Sequence, residues 1–208
     1  VAAHTEESRY GELDHAYVAR LRTLPAADDS PFLMLNLMRY RDLADYPAGH
    51  PDAGAGLSGR EADDRYAPLD ILHELGARIV LFGDCVPGSH WDRVAVVRYP
   101  SVRSFVDMQE RPDFIERHVH KDAGMLETII AVCRPVGGST DGAGRIAVEL
   151  LGPDAAVPEP GAGRLVLQVD GTPVGDGRAW AFAVVTAVPP APATPDAVVV
   201  DALIQELP

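Results

Sequence analysis

The chain has 208 residues, 47% of them hydrophobic and 24% charged, and a net charge of −13. A chain of this length buries roughly 70% of its unfolded surface, enough for a core without disulfide or metal staples. The negative charge argues against nucleic acid and against an anionic membrane surface as partners.

The first segment, "EESRYGELDHAYVARLRTL", sets Tyr10, Leu13, Tyr17, Leu21 and Leu24 at helical spacing and predicts an amphipathic helix. "PAADDSP" ends it. "FLMLNLMRY" predicts a strand with Phe32, Met34, Asn36, Met38 and Tyr40 on one face and Leu33, Leu35, Leu37 and Arg39 on the other. Both faces are mostly apolar, so both must be covered. A Gly-, Pro- and Asp-rich loop, "DLADYPAGHPDAGAG", follows.

Ser58 and Glu61 then fit a capping box, with Ala62, Tyr66, Leu69, Leu72 and Leu75 as the apolar stripe of a helix. Pro68 kinks or splits that helix, and Gly76 ends it. "ARIVLFGDCV" and "WDRVAVVRY" read as a hairpin across "PGSH". "PSVRSFVDMQERPDFIERHVH" predicts a helix in two pieces broken near Pro112, and "AGMLETIIAVCRP" ends in a strand.

Strand, helix, strand, strand, helix, strand is the order of a ferredoxin-like βαββαβ unit, an α+β fold with both helices on one face of an antiparallel sheet. The other face must be covered as well, and in many such small domains the sheet of a second subunit does this. The domains expected are 1–135 (N-terminal helix plus this unit), a linker at 136–144, and a β-rich C-terminal appendage of four strand-like runs at 145–208. Cys85 and Cys133 lie in apolar segments without CxxC spacing and read as buried free thiols. No apolar run has signal-peptide composition or bilayer-spanning length, which points to the cytoplasm.

The segments "NLMRYR", "WDRVAVVRYPS" and "HKDAG", in this order and spacing, resemble a bacterial domain-of-unknown-function family, number thirteen-thirty, of the dimeric α/β-barrel superfamily. The resemblance spans roughly residues 10–135. It implies a ferredoxin-like dimeric α/β barrel, a homodimer whose two sheets face each other, with a small cavity between each sheet and its helices. It does not imply one reaction, because that superfamily includes cofactor-free monooxygenases, lactone isomerases, polyketide cyclases, haem enzymes and plain ligand binders. Where the family has an arginine after the histidine near the last helix, this chain has Lys121.

The residues that can carry chemistry are few. Asn36 sits in a strand buried on both faces, where an unpaired amide costs about 1–3 kcal/mol. Its partner is either neighbouring backbone or Arg60, or else a ligand carbonyl that the amide would polarise. His120, at the end of the second helix, is the general acid/base candidate because imidazole titrates near neutrality. Tyr66 is either a core residue or a hydroxyl directed at a pocket.

Arg60, Met34, Met38, Trp91 and His118 are candidates for the pocket wall. Arg39 is expected on the opposite side, paired with Asp84 or Asp92. His118 and His120 diverge by about 200° on a helix, so no metal site is expected from them. No dinucleotide, phosphate-loop or nucleophile-elbow motif occurs, and no cofactor is expected.

Three functions remain open on this reading. One is a cofactor-independent isomerase, cyclase or lyase that moves a proton on a small aromatic or polyketide-like molecule in bacterial specialised metabolism. The others are a cofactor-free monooxygenase and a non-catalytic small-ligand binder. Convergence of Asn36, Tyr66 and His120 on one cavity would favour the enzymes.

Overall fold

The computed structural model describes residues 9–140, 142, 144–187 and 196–207. Residues 6–8 of the expected first helix and residues 141 and 143 of the expected linker lie outside this set. The elements are β1 (Glu12–Leu13), α1 (His15–Arg22), β2 (Phe32–Tyr40), α2 (Gly59–Tyr66), α3 (Leu69–Glu74), β3 (Arg78–Cys85), β4 (Arg93–Tyr99), α4 (Val102–Glu110), α5 (Pro112–Gly124), β5 (Met125–Gly137), β6 (Arg145–Leu151), β7 (Arg164–Gly175), β8 (Phe182–Thr186) and β9 (Ala197–Gln205).

Local chemistry explains many of the boundaries. Asp14 accepts the backbone N–H of Tyr17 and starts α1. Ser58 and Glu61 close a reciprocal capping box at the start of α2. Pro68 separates α2 from α3, since it has no N–H to continue the helical ladder. Gly76, with φ of 71°, turns the chain out of α3 toward β3. Pro112 occupies the first turn of α5, where a missing N–H costs nothing.

The assembly of these elements corrects the expected fold. The strands run β7-β5-β2-β4-β3-β9-β6-β8, every neighbouring pair is antiparallel, and β8 pairs back onto β7. The result is a closed eight-stranded antiparallel β-barrel within one chain, with β1 added along the far end of β7. It is not a ferredoxin-like dimeric α/β barrel with a β-rich appendage, and the family resemblance that implied that fold fails with it.

The physical reason lies in the second apolar face of β2. That face does need covering, but β6–β9 of the same chain provide the cover by closing the sheet on itself. Leu33, Leu35 and Leu37 point into the barrel, where they meet Val80, Val94, Val96, Ile129 and Ala131 from the first half and Ile146, Val148, Leu165, Leu167, Val185 and Val198 from the second. An eight-stranded barrel has an interior that side chains just fill, and this one is filled with branched apolar groups.

The helices lie outside, against the stretch of sheet formed by β2, β4 and β5. Tyr17, Ile71, Leu72, Val102, Met108 and Phe114 pack there on Phe32, Met34, Val97, Tyr99 and Val132. Helices α2 and α5 cross closely because Gly59 and Gly124 meet backbone to backbone, with Ala62 beside them. That contact sets Asp63 and Tyr66 on α2 against His118 and Lys121 on α5. No helix among the described residues is long and apolar enough to cross a membrane.

Candidate functional site

The middle of the barrel's outer surface is less well covered than its flanks. Register places Phe82, Ala95, Asn36, Ile130 and Val174 in one row across β3, β4, β2, β5 and β7. All but Ala95 are only partly buried. The row runs where two packed groups meet, with Ile130 packed on one and Phe82, Ala95 and Val174 on the other. On one side is the helix-covered cluster containing Met34 and Tyr66; on the other is a smaller cluster of Tyr10, Met38, Tyr40 and Met125. Asn36 therefore lies in the middle of a partly exposed strip where the two groups meet, called the furrow below.

Lys121 connects the two groups. Its Nζ sits 5.6 Å from the centre of the Tyr10 ring and 5.2 Å from that of Tyr66. The residue is only 7% exposed. Among the described residues this amine makes no ion pair or hydrogen bond with a side chain. Burial lowers its pKa below the usual lysine value, and the nearby Asp63 and Asp122 carboxylates only partly oppose that.

Lys121 is also the only lysine in the chain; every other Lys or Arg position is arginine. Arginine stays charged in any protein environment, whereas a buried lysine can lose its proton. The one position where this chain uses a lysine is thus one where burial shifts the titration of the amine downward.

The surroundings are rich in hydroxyls. Tyr40 donates to Asp63 at 2.6 Å, and Asp63 is itself buried, which raises its pKa. Tyr10 and His118 Nε2 are hydrogen-bonded at 3.0 Å. His118 packs against Tyr66 and Phe114. Burial holds the Tyr66 pKa well above its ordinary value, so its hydroxyl stays protonated. Among the described residues that hydroxyl has no hydrogen-bond partner.

A web of charge braces the far side. Arg93, 7% exposed, reaches Asp64 at 2.8 Å, Asp84 at 3.1 Å and Asp63 at 3.8 Å. Tyr40 also borders an open cleft of about 750 Å³ whose walls include Arg39, Arg41, Asp42, Arg60 and Asp92.

The residues singled out in the sequence do not all meet. Asn36 lies on the outer face with Met34 and Met38, but its Nδ2 donates to the carbonyls of Met34 at 3.1 Å and Ala95 at 3.5 Å. Only its oxygen is left to face a ligand. Tyr66 and His118 adjoin Lys121. His120 lies elsewhere, hydrogen-bonded to Tyr46 at 2.8 Å and edge-on to His50. Asn36, Tyr66 and His120 thus do not form one constellation.

Arg60 binds Asp84 at 2.6 Å, and Arg39 pairs with Glu127 at 3.6 Å rather than with Asp84 or Asp92. Asp92 instead accepts the Tyr40 backbone N–H. Trp91 lies inside the barrel, away from the furrow. The residues missed in the sequence are Lys121, Tyr10, Tyr40 and Asp63. The solitary lysine was the available signal.

No family model and no curated protein matches the chain. Solved structures do. The methylated RPA0582 protein is 28% identical, with a TM-score of 0.52, and the match covers 62% of this chain and 97% of that one. The RPA0582 protein of unknown function from Rhodopseudomonas palustris is likewise 28% identical, with a TM-score of 0.50 and coverage of 62% and 98%. The chain is thus similar over somewhat more than half its length to a protein whose own function is open, and the rest of it has no counterpart there.

Proposed function

We propose that the chain is a cofactor-independent enzyme that moves a proton on a small carbonyl compound, with Lys121 as the proton carrier. The observation that carries this reading is the sole lysine of the chain, buried between two tyrosine rings and without an ion-pair or hydrogen-bond partner among the described residues. In its neutral form the Nζ lone pair takes a proton from the carbon next to the carbonyl. The C–H electrons move into a new C=C bond, and the carbonyl π electrons move onto oxygen. The Tyr66 hydroxyl hydrogen-bonds that oxygen as charge develops there. Return of the proton from the Lys121 ammonium to another carbon gives an isomer, and elimination or ring closure follows from the same enolate. The Asn36 oxygen orients the substrate from the furrow.

A panel of aromatic and polyketide-like ketones incubated in D2O tests this without knowledge of the product. Deuterium enters next to the carbonyl if the reading holds. Lys121→Met and Lys121→Arg abolish the exchange, and Tyr66→Phe slows it about 10²-fold or more. Exchange that survives Lys121→Met rules the proposal out.

A second reading, binding without turnover, is favoured by the position of His120 away from Tyr66. In that case a ligand protects the furrow and shows no exchange.

A further inference from the structure

The loop between β2 and α2 folds back onto α5 and creates a cluster that the function above does not use. His50, Asp52 and His120 each offer one ligand atom, all within 4.8 Å of one another. We infer that these three side chains form a binding site for a divalent transition-metal ion, with Zn2+ the ion that best fits the donor set.

Two imidazoles and one carboxylate are ligands that zinc accepts, and three protein ligands leave a coordination position open. Donor atoms about 2.0–2.2 Å from a tetrahedral zinc lie about 3.4 Å apart, so the cluster needs to contract by an ångström or so. The contraction falls to the loop rather than to the helix. His50 and Asp52 belong to a loop punctuated by Gly49, Gly54 and Gly56, all at positive φ, while His120 is fixed on a helix.

Each ligand is already oriented by a neighbour. Tyr46 is hydrogen-bonded to His120 Nδ1 at 2.8 Å, which leaves Nε2 as the nitrogen for an ion. An imidazole ligand whose other nitrogen is tied to oxygen is the usual outer-shell arrangement of metal-binding histidine. Tyr46 also stacks on His50, with ring centres 4.6 Å apart. Arg65 holds Asp52 Oδ1 at 2.5 Å, and Oδ2 lies 3.9 Å from His50 Nδ1. The His50 Nδ1 lone pair accepts only a long 3.2 Å bond from the Asp52 backbone, which an ion would replace. In the sequence, His118-x-His120 argued against a metal because the two rings diverge. The partner of His120 comes from a loop 70 positions earlier instead.

The test is calorimetric titration of the untagged protein with ZnCl2, repeated with CoCl2 while the visible spectrum is followed. One ion binds per chain, and the cobalt form shows the intense visible bands of a four-coordinate site. His50→Ala and His120→Ala each weaken zinc binding by more than the ~10–100-fold that loss of an outer-shell partner costs, and Tyr46→Phe falls within that range. His50→Ala lies in a surface loop, so it remains informative if the helix variant folds poorly. Zinc binding unchanged in His50→Ala, or no binding by the parent protein, overturns the inference.

Discussion

The closed barrel makes an unusual prediction at Gly83. This residue lies on β3 where it meets β9, the seam between the first four strands and the last four. A methyl group there would sit 2.5 Å from the carbonyl oxygen of Asp201, 2.7 Å from Val200 Cγ1 and 2.9 Å from the Ala202 Cα. Two of those three neighbours are backbone atoms of a paired strand and cannot swing aside. Overpacking of this kind costs about 1–3 kcal/mol.

Against that stands the gain of about 0.4–1 kcal/mol when alanine replaces glycine and stiffens the unfolded chain. The clash is the larger effect. Gly83→Ala therefore destabilises by about 1–2 kcal/mol, which for a domain of this size lowers the melting temperature by about 2–8 °C. Were β3 an open edge, as the two-subunit fold required, only the gain would remain and the sign would reverse. Urea unfolding followed by the fluorescence of Trp91 and Trp180, both in the barrel core, reads the sign directly. A midpoint equal to or above the parent's refutes the closure of the barrel at this seam.

Two further outcomes follow from burial. Because the folded-state pKa of Lys121 is lowered from 10.5, the unfolded chain holds more protons than the folded one between those two values, and stability rises with pH across that window. Lys121→Met lacks this dependence, so its stability relative to the parent falls as pH rises toward 10.5, which paired thermal melts at stepped pH would record. Burial also pushes the thiols of Cys85 and Cys133 up to about 12. Cys133 is buried and Cys85, expected to be so, is only partly buried; both react slowly with a disulfide reagent at neutral pH in the folded protein and fast once urea unfolds it, and rapid labelling of Cys133 in the native chain contradicts its burial.

Much of the local structure was legible in the sequence because it depends on near neighbours. Ser58 and Glu61 cap α2 as their spacing requires, Pro68 splits the helix, and β2 alternates as read. Strand partners are not local information. Two apolar faces on β2 show that something covers the Leu33–Leu35–Leu37 face, but not whether a second chain or β6–β9 supplies it. The site failed for the same reason. Asp63 in "EADD" reads as one more surface acid until Tyr40 and Lys121 are seen around it. His120 looked like a lone base until the loop brought His50 to it. Arg93 reads as an alternating strand residue, yet three aspartates from two elements converge on it.

The solitary lysine also makes the decisive measurement simple. Selective 13C,15N-lysine labelling places a single side-chain spin system in the NMR spectrum, and its titration gives the pKa of Lys121 without assignment. The account predicts a value clearly below the ordinary 10.5, moved further by ligands that fill the furrow and brought back to normal on unfolding. A folded-state value at or above 10.5 would mean that Lys121 is a permanently charged structural cation, and the proton-transfer proposal would fall.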